Sequence, residues 1–323
     1  MTHRCPSASR KIPRASCLEV FVGAVLLATG CGSTGGGGKP SGTTTPVHVG
    51  AADSGPPAST GDAAPPAQVC NGPGYSSSSE ATIAFSHLSA TVVDTTGAPV
   101  PSVTAQTCGV NLCLNGTTNA NGFVDFDQAA MLDQPAFKYG DARGYARFAY
   151  PLRDPPIKVD LGSQITVAFD APSAGVPLDA GTDATSNGVT LSLAANMNPV
   201  APDPFDFDTT DLQHFRAAVV PPEHTPAAVD PSLGLEIVVA LTPEGTELCP
   251  AAKMRVANTP GWPKNSKVEF YLHGVDVAEE WAPYGGWAKI SDGTVTPDGT
   301  RVETDASGGI PSLSVVGIRL VKD

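Results

Sequence analysis

From residue 81 onward the apolar residues fall in short alternations of period two, each stopped within a few residues by Gly, Pro, Asn or Asp. Leu88, Ala90 and Val92 form one set, Val103 and Ala105 a second, and Ile165, Val167 and Phe169 a third. Val189, Leu191 and Leu193 follow, then Leu235, Ile237, Val239 and Leu241, then Val268, Phe270 and Leu272, and finally Val316, Ile318 and Leu320. Period two places each set on one face of a pleated strand. A helical stripe of period 3.6 never exceeds three turns, and the one helix-like stretch, Asp125 to Asp133, is short. The expected fold class is therefore all-β, with two β-sandwich-like domains at 81–170 and 171–323. The 34 Gly and 31 Pro of the 323 residues agree with a turn-rich chain, and the length exceeds the roughly 100 to 200 residues of a single domain.

Residues 1 to 30 predict an export signal. Arg4, Arg10, Lys11 and Arg14 precede an uncharged, mostly apolar run from Val20 to Thr29, the order of an n-region and an h-region. Ten helical residues rise about 15 Å, half of a roughly 30 Å hydrocarbon core, so the run is too short to span. The stretch LLATGC ending at Cys31 resembles the lipobox of bacterial lipoproteins, in which the Cys receives a diacylglycerol; it departs from that pattern in having Ala28 three places before the Cys. Ala28-Thr29-Gly30 also suits ordinary signal peptidase cleavage, with plain secretion as the result. Residues 31–80 are rich in Gly, Ser, Thr, Pro and Ala, with little to bury against the entropy of ordering, and predict a disordered tether. From Gly32 to Gly74 it would reach about 35 Å as a random coil. The lipoprotein resemblance implies a membrane partner held through Cys31, and Gly32 after it implies sorting to the outer membrane in a Gram-negative host.

Seven Cys are present. With Cys5 and Cys17 lost in the signal and Cys31 acylated, Cys70, Cys108, Cys113 and Cys249 remain, an even set that suggests two disulfides in an exported chain. Three pairings are open; Cys108 with Cys113 is the easiest local loop, which leaves Cys70 with Cys249. A four-Cys zinc site competes, but the spacing lacks paired C-x-x-C knuckles.

The string SATVVDTTGAPVPSVTAQTCG, followed by TTNANGFVDFD, resembles the carboxypeptidase regulatory-like domain, a transthyretin-like sandwich. Gly97-Ala98-Pro99-Val100 and Asn121-Gly122-Phe123 stand at its two turns, and the likeness covers about residues 82 to 170. Asn-Gly supplies positive φ for a hairpin. The Cys108 to Cys113 loop departs from the family. The resemblance implies a module without an active site of its own, used as a stalk or binding platform. Nearer the C-terminus, WAKISDGTVTPDGTRVETD and GGIP are similar to β-domains of secreted and lipid-anchored delta-proteobacterial proteins, myxobacterial ones included. Asp298-Gly299 predicts a hairpin turn there.

Candidate sites are few. G-x-S-x-G, S-x-x-K and H-E-x-x-H are all absent from the sequence, which removes the commonest nucleophile and zinc-protease signatures. His273 shares a strand face with Glu269 and Tyr271, opposite Val268, Phe270 and Leu272, which points it to solvent; with Asp276, Glu279 and Glu280 it is the best candidate for a hydrolase or metal site. Asp203, Asp206, Asp208 and Asp211 in PDPFDFDTTD offer carboxylates to calcium without EF-hand spacing, as an adhesin stalk would need. Trp262, Trp281 and Trp287, all of the chain's Trp, lie with Tyr284 in one window rich in Pro and Gly. Exposed rings there would bind a protein or glycan partner; packed rings would be core. The formal charge of −13 becomes −16 once the signal takes away four basic residues and one acid, so nucleic acid is excluded as a partner. These features together predict a non-enzymatic, lipid-anchored envelope protein, with no cofactor.

Overall fold

The computed structural model describes residues 72–74, 82–141, 143–153, 158–199, 207–277 and 281–322. The signal, Cys31, Cys70, Asp203, Asp206, Glu279, Glu280 and all of the tether except 72–74 lie outside these residues.

The chain is all-β. Among the described residues, helical geometry is confined to four 3-10 turns of three residues each. The first nine strands are β1 (Thr82–Phe85), β2 (His87–Val93), β3 (Thr104–Cys108), β4 (Cys113–Thr117), β5 (Phe123–Phe126), β6 (Ala130–Asp133), β7 (Ala136–Tyr139), β8 (Phe148–Pro151) and β9 (Lys158–Ile165). One sheet runs β5-β2-β9, with β9 parallel to β2, and a second runs β4-β3-β7-β8. Leu88, Ala90, Val92 and Val124 from the first sheet meet Ala105, Phe137, Tyr139 and Phe148 from the second in one core. The period-two sets at 88–92 and 103–105 are the inward faces of this sandwich.

Asp125 to Asp133 does not form a helix. Nine residues are too few to repay helix nucleation unaided, and here the backbone finds sheet partners instead. Phe126 ends β5, while β6 pairs with β1 from Thr82 opposite Asp133 to Phe85 opposite Ala130. The Asp133 carbonyl also accepts the Val110 N–H at 2.9 Å. Val110 lies in the loop clipped by the Cys108–Cys113 disulfide.

The Asn121-Gly122 turn forms, but not as a hairpin between paired strands. Asn119 Oδ1 accepts the N–H groups of Asn121 at 2.9 Å and Phe123 at 3.1 Å, closing the loop locally. The Thr118 hydroxyl then donates to the Val100 carbonyl at 2.7 Å and accepts the Val103 N–H at 2.9 Å. Beyond these bonds β4 stays on β3 while β5 crosses to β2, so the turn joins the two sheets.

The remaining strands are β10 (Asp183–Ser186), β11 (Val189–Ser192), β12 (Arg216–Val220), β13 (Ile237–Thr242), β14 (Glu247–Ala257), β15 (Lys267–His273), β16 (Trp287–Val295), β17 (Arg301–Thr304), β18 (Ile310–Ser312) and β19 (Val315–Leu320). They form one sheet in the order β10-β11-β14-β17-β16-β15-β19-β13-β12, with β18 beside β14. Its two ends meet through side chains. Ser186 Oγ accepts the Ala217 N–H at 3.0 Å, and Asn187 Nδ2 donates to the Ala217 carbonyl at 2.7 Å. The result is a nearly closed barrel. Closure by side chains satisfies edge groups that would otherwise template aggregation. Asp298 caps the β16–β17 hairpin, accepting from Thr296 Oγ1 at 2.5 Å and Thr300 N–H at 3.0 Å.

Strand β13 explains how the two sets of sheets are joined. Ile237, Val239 and Leu241 point into the barrel, while Val238 and Ala240 point out into the core of the first sandwich. Ala218 and Val220 of β12 and Val315 of β19 do the same, so the sandwich packs on the outer face of β12-β13-β19. A strand apolar on both faces is what burial on both sides requires. Residues Ala64–Asp323 fall in one compact unit.

Gly122 is a tight backbone approach in the first sandwich: its φ is +71°, and a Cβ there would stand 2.3 Å from the Val92 carbonyl oxygen. Gly188 has a similar φ of +76° but nothing within 4 Å of its Cβ position. Gly188→Ala should therefore cost only the left-handed backbone penalty of about 1–2 kcal/mol. Gly122→Ala should cost clearly more, because backbone must also move; equal losses in urea denaturation would contradict this assignment.

Candidate functional site

The cleft of about 590 Å³ where the first sandwich meets the barrel is lined by segments from both. The end of β8 and the residues after it contribute Tyr150, Leu152 and Arg153; β9 contributes Val159 and Leu161; the segment before β13 contributes Asp230 and Leu233; and the start of β16 contributes Trp287. This volume lies within the roughly 300–1,000 Å³ usual for small-molecule sites.

The wall at Trp287 is rigid. Its indole N–H donates to the Ala228 carbonyl at 3.0 Å, and its ring stacks on His273 with centroids 4.6 Å apart. His273 is itself locked. Nε2 accepts the Ala149 N–H at 3.1 Å, which leaves Nδ1 as the donor to the Gly286 carbonyl at 2.8 Å. Both bonds are satisfied by the neutral imidazole. Ala149 lies in β8, an edge strand of the sandwich, so a barrel side chain occupies a strand-edge donor of the other half. Ring contacts continue inward from His273 to Phe148 at 6.3 Å, then to Tyr139 at 6.1 Å and Phe137 at 5.4 Å.

His273 is therefore not a solvent-facing residue, as strand alternation predicts; it is fully buried. Alternation separates the two faces of a strand but does not say that one of them is wet. Here the outer face of β15 at its C-terminal end is covered by β8. Burial without a countercharge lowers the His273 pKa to about 4. Asp276 is exposed, and Glu279 and Glu280, the other partners expected beside His273, lie outside the described residues.

The four aromatic candidates separate. Trp262 is 6% exposed and belongs to the barrel interior, with its indole N–H 3.4 Å from Glu236 Oε2. Trp281 packs half-buried against the same core. Tyr284 packs against Ala136, Ala149 and Val275, and its hydroxyl donates to the Ala136 carbonyl at 3.4 Å. Of the four, Trp287 alone lines the cleft.

Of the acidic loop, Asp208 and Asp211 are described, and both are exposed. Asp208 lies 4.0 Å from Arg143, which reads as a surface ion pair. Among the described residues no group of three or more His, Cys, Asp or Glu is placed to hold a metal. Cys108 and Cys113 are joined, and Cys249 is also disulfide-bonded.

Tyr150, Arg153 and Asp230 carry no local sequence signal, since they come from segments about eighty residues apart whose meeting is decided by packing. Asp230 Oδ1 accepts the Ser232 N–H at 2.8 Å. Hydrogen bonding from Ser232, aided by the Arg153 charge, holds this carboxyl below its usual range. It is ionised at neutral pH.

No family model matches the chain, and no curated protein matches it.

The buried imidazole yields a pH test. Its folded pKa of about 4 lies below the unfolded 6.5, so between these values the unfolded chain binds the extra proton. Stability should fall as pH drops from 6.5 to 4, by about 3 kcal/mol for this group at 1.36 kcal/mol per pKa unit. Glu244, raised by burial and opposed by Arg147 at 3.6 Å, contributes with the opposite sign. Comparing urea midpoints of the native chain and His273→Gln across pH 7 to 4 cancels that contribution. The variant should be less stable at pH 7 and show a flatter acid limb; an unchanged limb would remove His273 from this role.

Proposed function

We propose that this chain is a non-enzymatic, lipid-anchored envelope protein that holds its β unit off a membrane on a tether and binds a partner through the Trp287 cleft. The observation that carries the binding role is the cleft itself, with a pre-ordered indole wall and ionic groups at a junction between two sets of sheets. Pre-ordering lowers the entropic cost of binding. The anchor rests on the lipobox-like LLATGC ending at Cys31 and on the composition of residues 31–80.

A carboxypeptidase regulatory-like first half is supported by the two turns at Gly97–Val100 and Asn121–Phe123 and by the facing sheets around them. In the first turn Asp94 Oδ1 accepts the N–H groups of Thr96 at 2.8 Å and Ala98 at 3.0 Å. A platform role, rather than hydrolysis at His273, is supported by the engagement of both imidazole nitrogens. A general base must reach the proton it takes.

Intact mass spectrometry of the protein from its native membrane fraction tests the anchor. The mature N-terminus should be an acylated Cys31, and Cys31→Ala should move the protein from the membrane pellet to the soluble fraction. An unmodified chain found free in the medium would overturn the anchored reading.

A further inference from the structure

We propose that the ligand of the Trp287 cleft is a neutral saccharide, recognised by Trp287 as a stacking surface and by Arg153 and Asp230 as a polar fork. This deepens the binding role proposed above and rests on it.

The chemistry follows from what lines the cleft. Among the described residues that line it, Arg153 and Asp230 are the charged ones, and they interact electrostatically. Their formal charges cancel. Charges farther than about 8 Å are screened at physiological salt, and the described lining carries no net charge. An anionic ligand would gain Arg153 but face Asp230, and a cationic ligand the reverse; neither gains a net countercharge.

A wholly apolar ligand fits no better. It would strip water from polar groups at the guanidinium and the carboxylate and return no hydrogen bonds. A sugar ring meets both demands. Its C–H face suits an indole plane and aliphatic neighbours such as Leu161 and Leu233, while its rim of hydroxyls both donates and accepts. The Asp230 carboxylate accepts from hydroxyl groups, and the planar Arg153 guanidinium donates to adjacent oxygens in a fixed fork. The Tyr150 side chain, half-buried on the β8 side, adds a second aromatic surface.

Because the chain has three Trp, 5-fluorotryptophan labelling of the full chain gives three fluorine resonances. Trp287→Phe assigns the one of interest; should that variant fail to fold, Trp262→Phe and Trp281→Phe assign it by elimination. The chain is held in a detergent without a sugar headgroup and titrated separately with glucose, N-acetylglucosamine, maltose, cellobiose, glucuronate, glucosamine and a peptide copying its own Pro-rich residues 55–68. At least one neutral sugar should shift the Trp287 resonance saturably and leave the other two in place. Arg153→Ala and Asp230→Ala should each weaken that sugar at least tenfold, with glucuronate and glucosamine binding less well than their neutral counterparts. A shift caused only by a charged sugar, or only by the peptide, would overturn the neutral-saccharide assignment while leaving the cleft as a binding site. Silence towards every probe would overturn the assignment too, and the broader binding role falls with it if an envelope extract from the native host also leaves the resonance unmoved.

Discussion

The imidazole of His273 holds the molecule's two sets of sheets in register. A buried side chain on the barrel satisfies the outward N–H of Ala149 on a sandwich edge strand and the carbonyl of Gly286 on the barrel loop. The Gly286 carbonyl has a second donor in the Gly274 N–H, but leaving the Ala149 N–H unpaired in an interior would cost roughly 1–3 kcal/mol. The same ring supports Trp287 on one side and faces Phe148 on the other. Sandwich core, junction and cleft wall are thereby one continuous stack of rings, and the shape of the cleft depends on the junction being formed.

That junction is a hydrophobic core shared through strand β13. Its odd residues from Ile237 to Leu241 fill the barrel and its even ones, Val238 and Ala240, fill the sandwich. Gly274, Gly285 and Gly286 clamp the other end, with the Gly274 N–H donating to the Gly286 carbonyl at 3.0 Å and the Gly285 N–H to the Gly274 carbonyl at 2.8 Å. Val275 and Tyr284, next to these glycines, pack on Ala136 and Ala149. Such contacts tie the two halves together beside the cleft.

Much of the fold was legible because period-two burial is local. Val189, Leu191, Val268, Phe270, Leu272, Val316 and Ile318 all reach the barrel interior that their alternation implies. Turn chemistry was equally local at Asp298-Gly299, where carboxylate and glycine act within four residues. The Asn121-Gly122 turn was legible as a turn but not in its destination, because bonds from Thr118 to residues 100 and 103 send its flanking strands to different sheets. The stretch 125–133 misled because a short polar-apolar pattern suits either period, and β1 supplied the deciding partner.

The site was the less legible part. Sequence proximity gathered Trp262, Trp281, Tyr284 and Trp287 as one cluster, yet packing sends the first into the barrel, the second against its wall, the third onto the sandwich and only the fourth to a cleft. Arg153 and Asp230, which face the same space, could not be associated from the chain alone. By itself the sequence determined strand class and turn positions and made Cys108–Cys113 the easiest closure, because each depends on residues close along the chain. Barrel closure, the burial of His273 and the composition of the cleft were decided only by tertiary structure, because each depends on which face of one strand is covered by a segment far away in sequence.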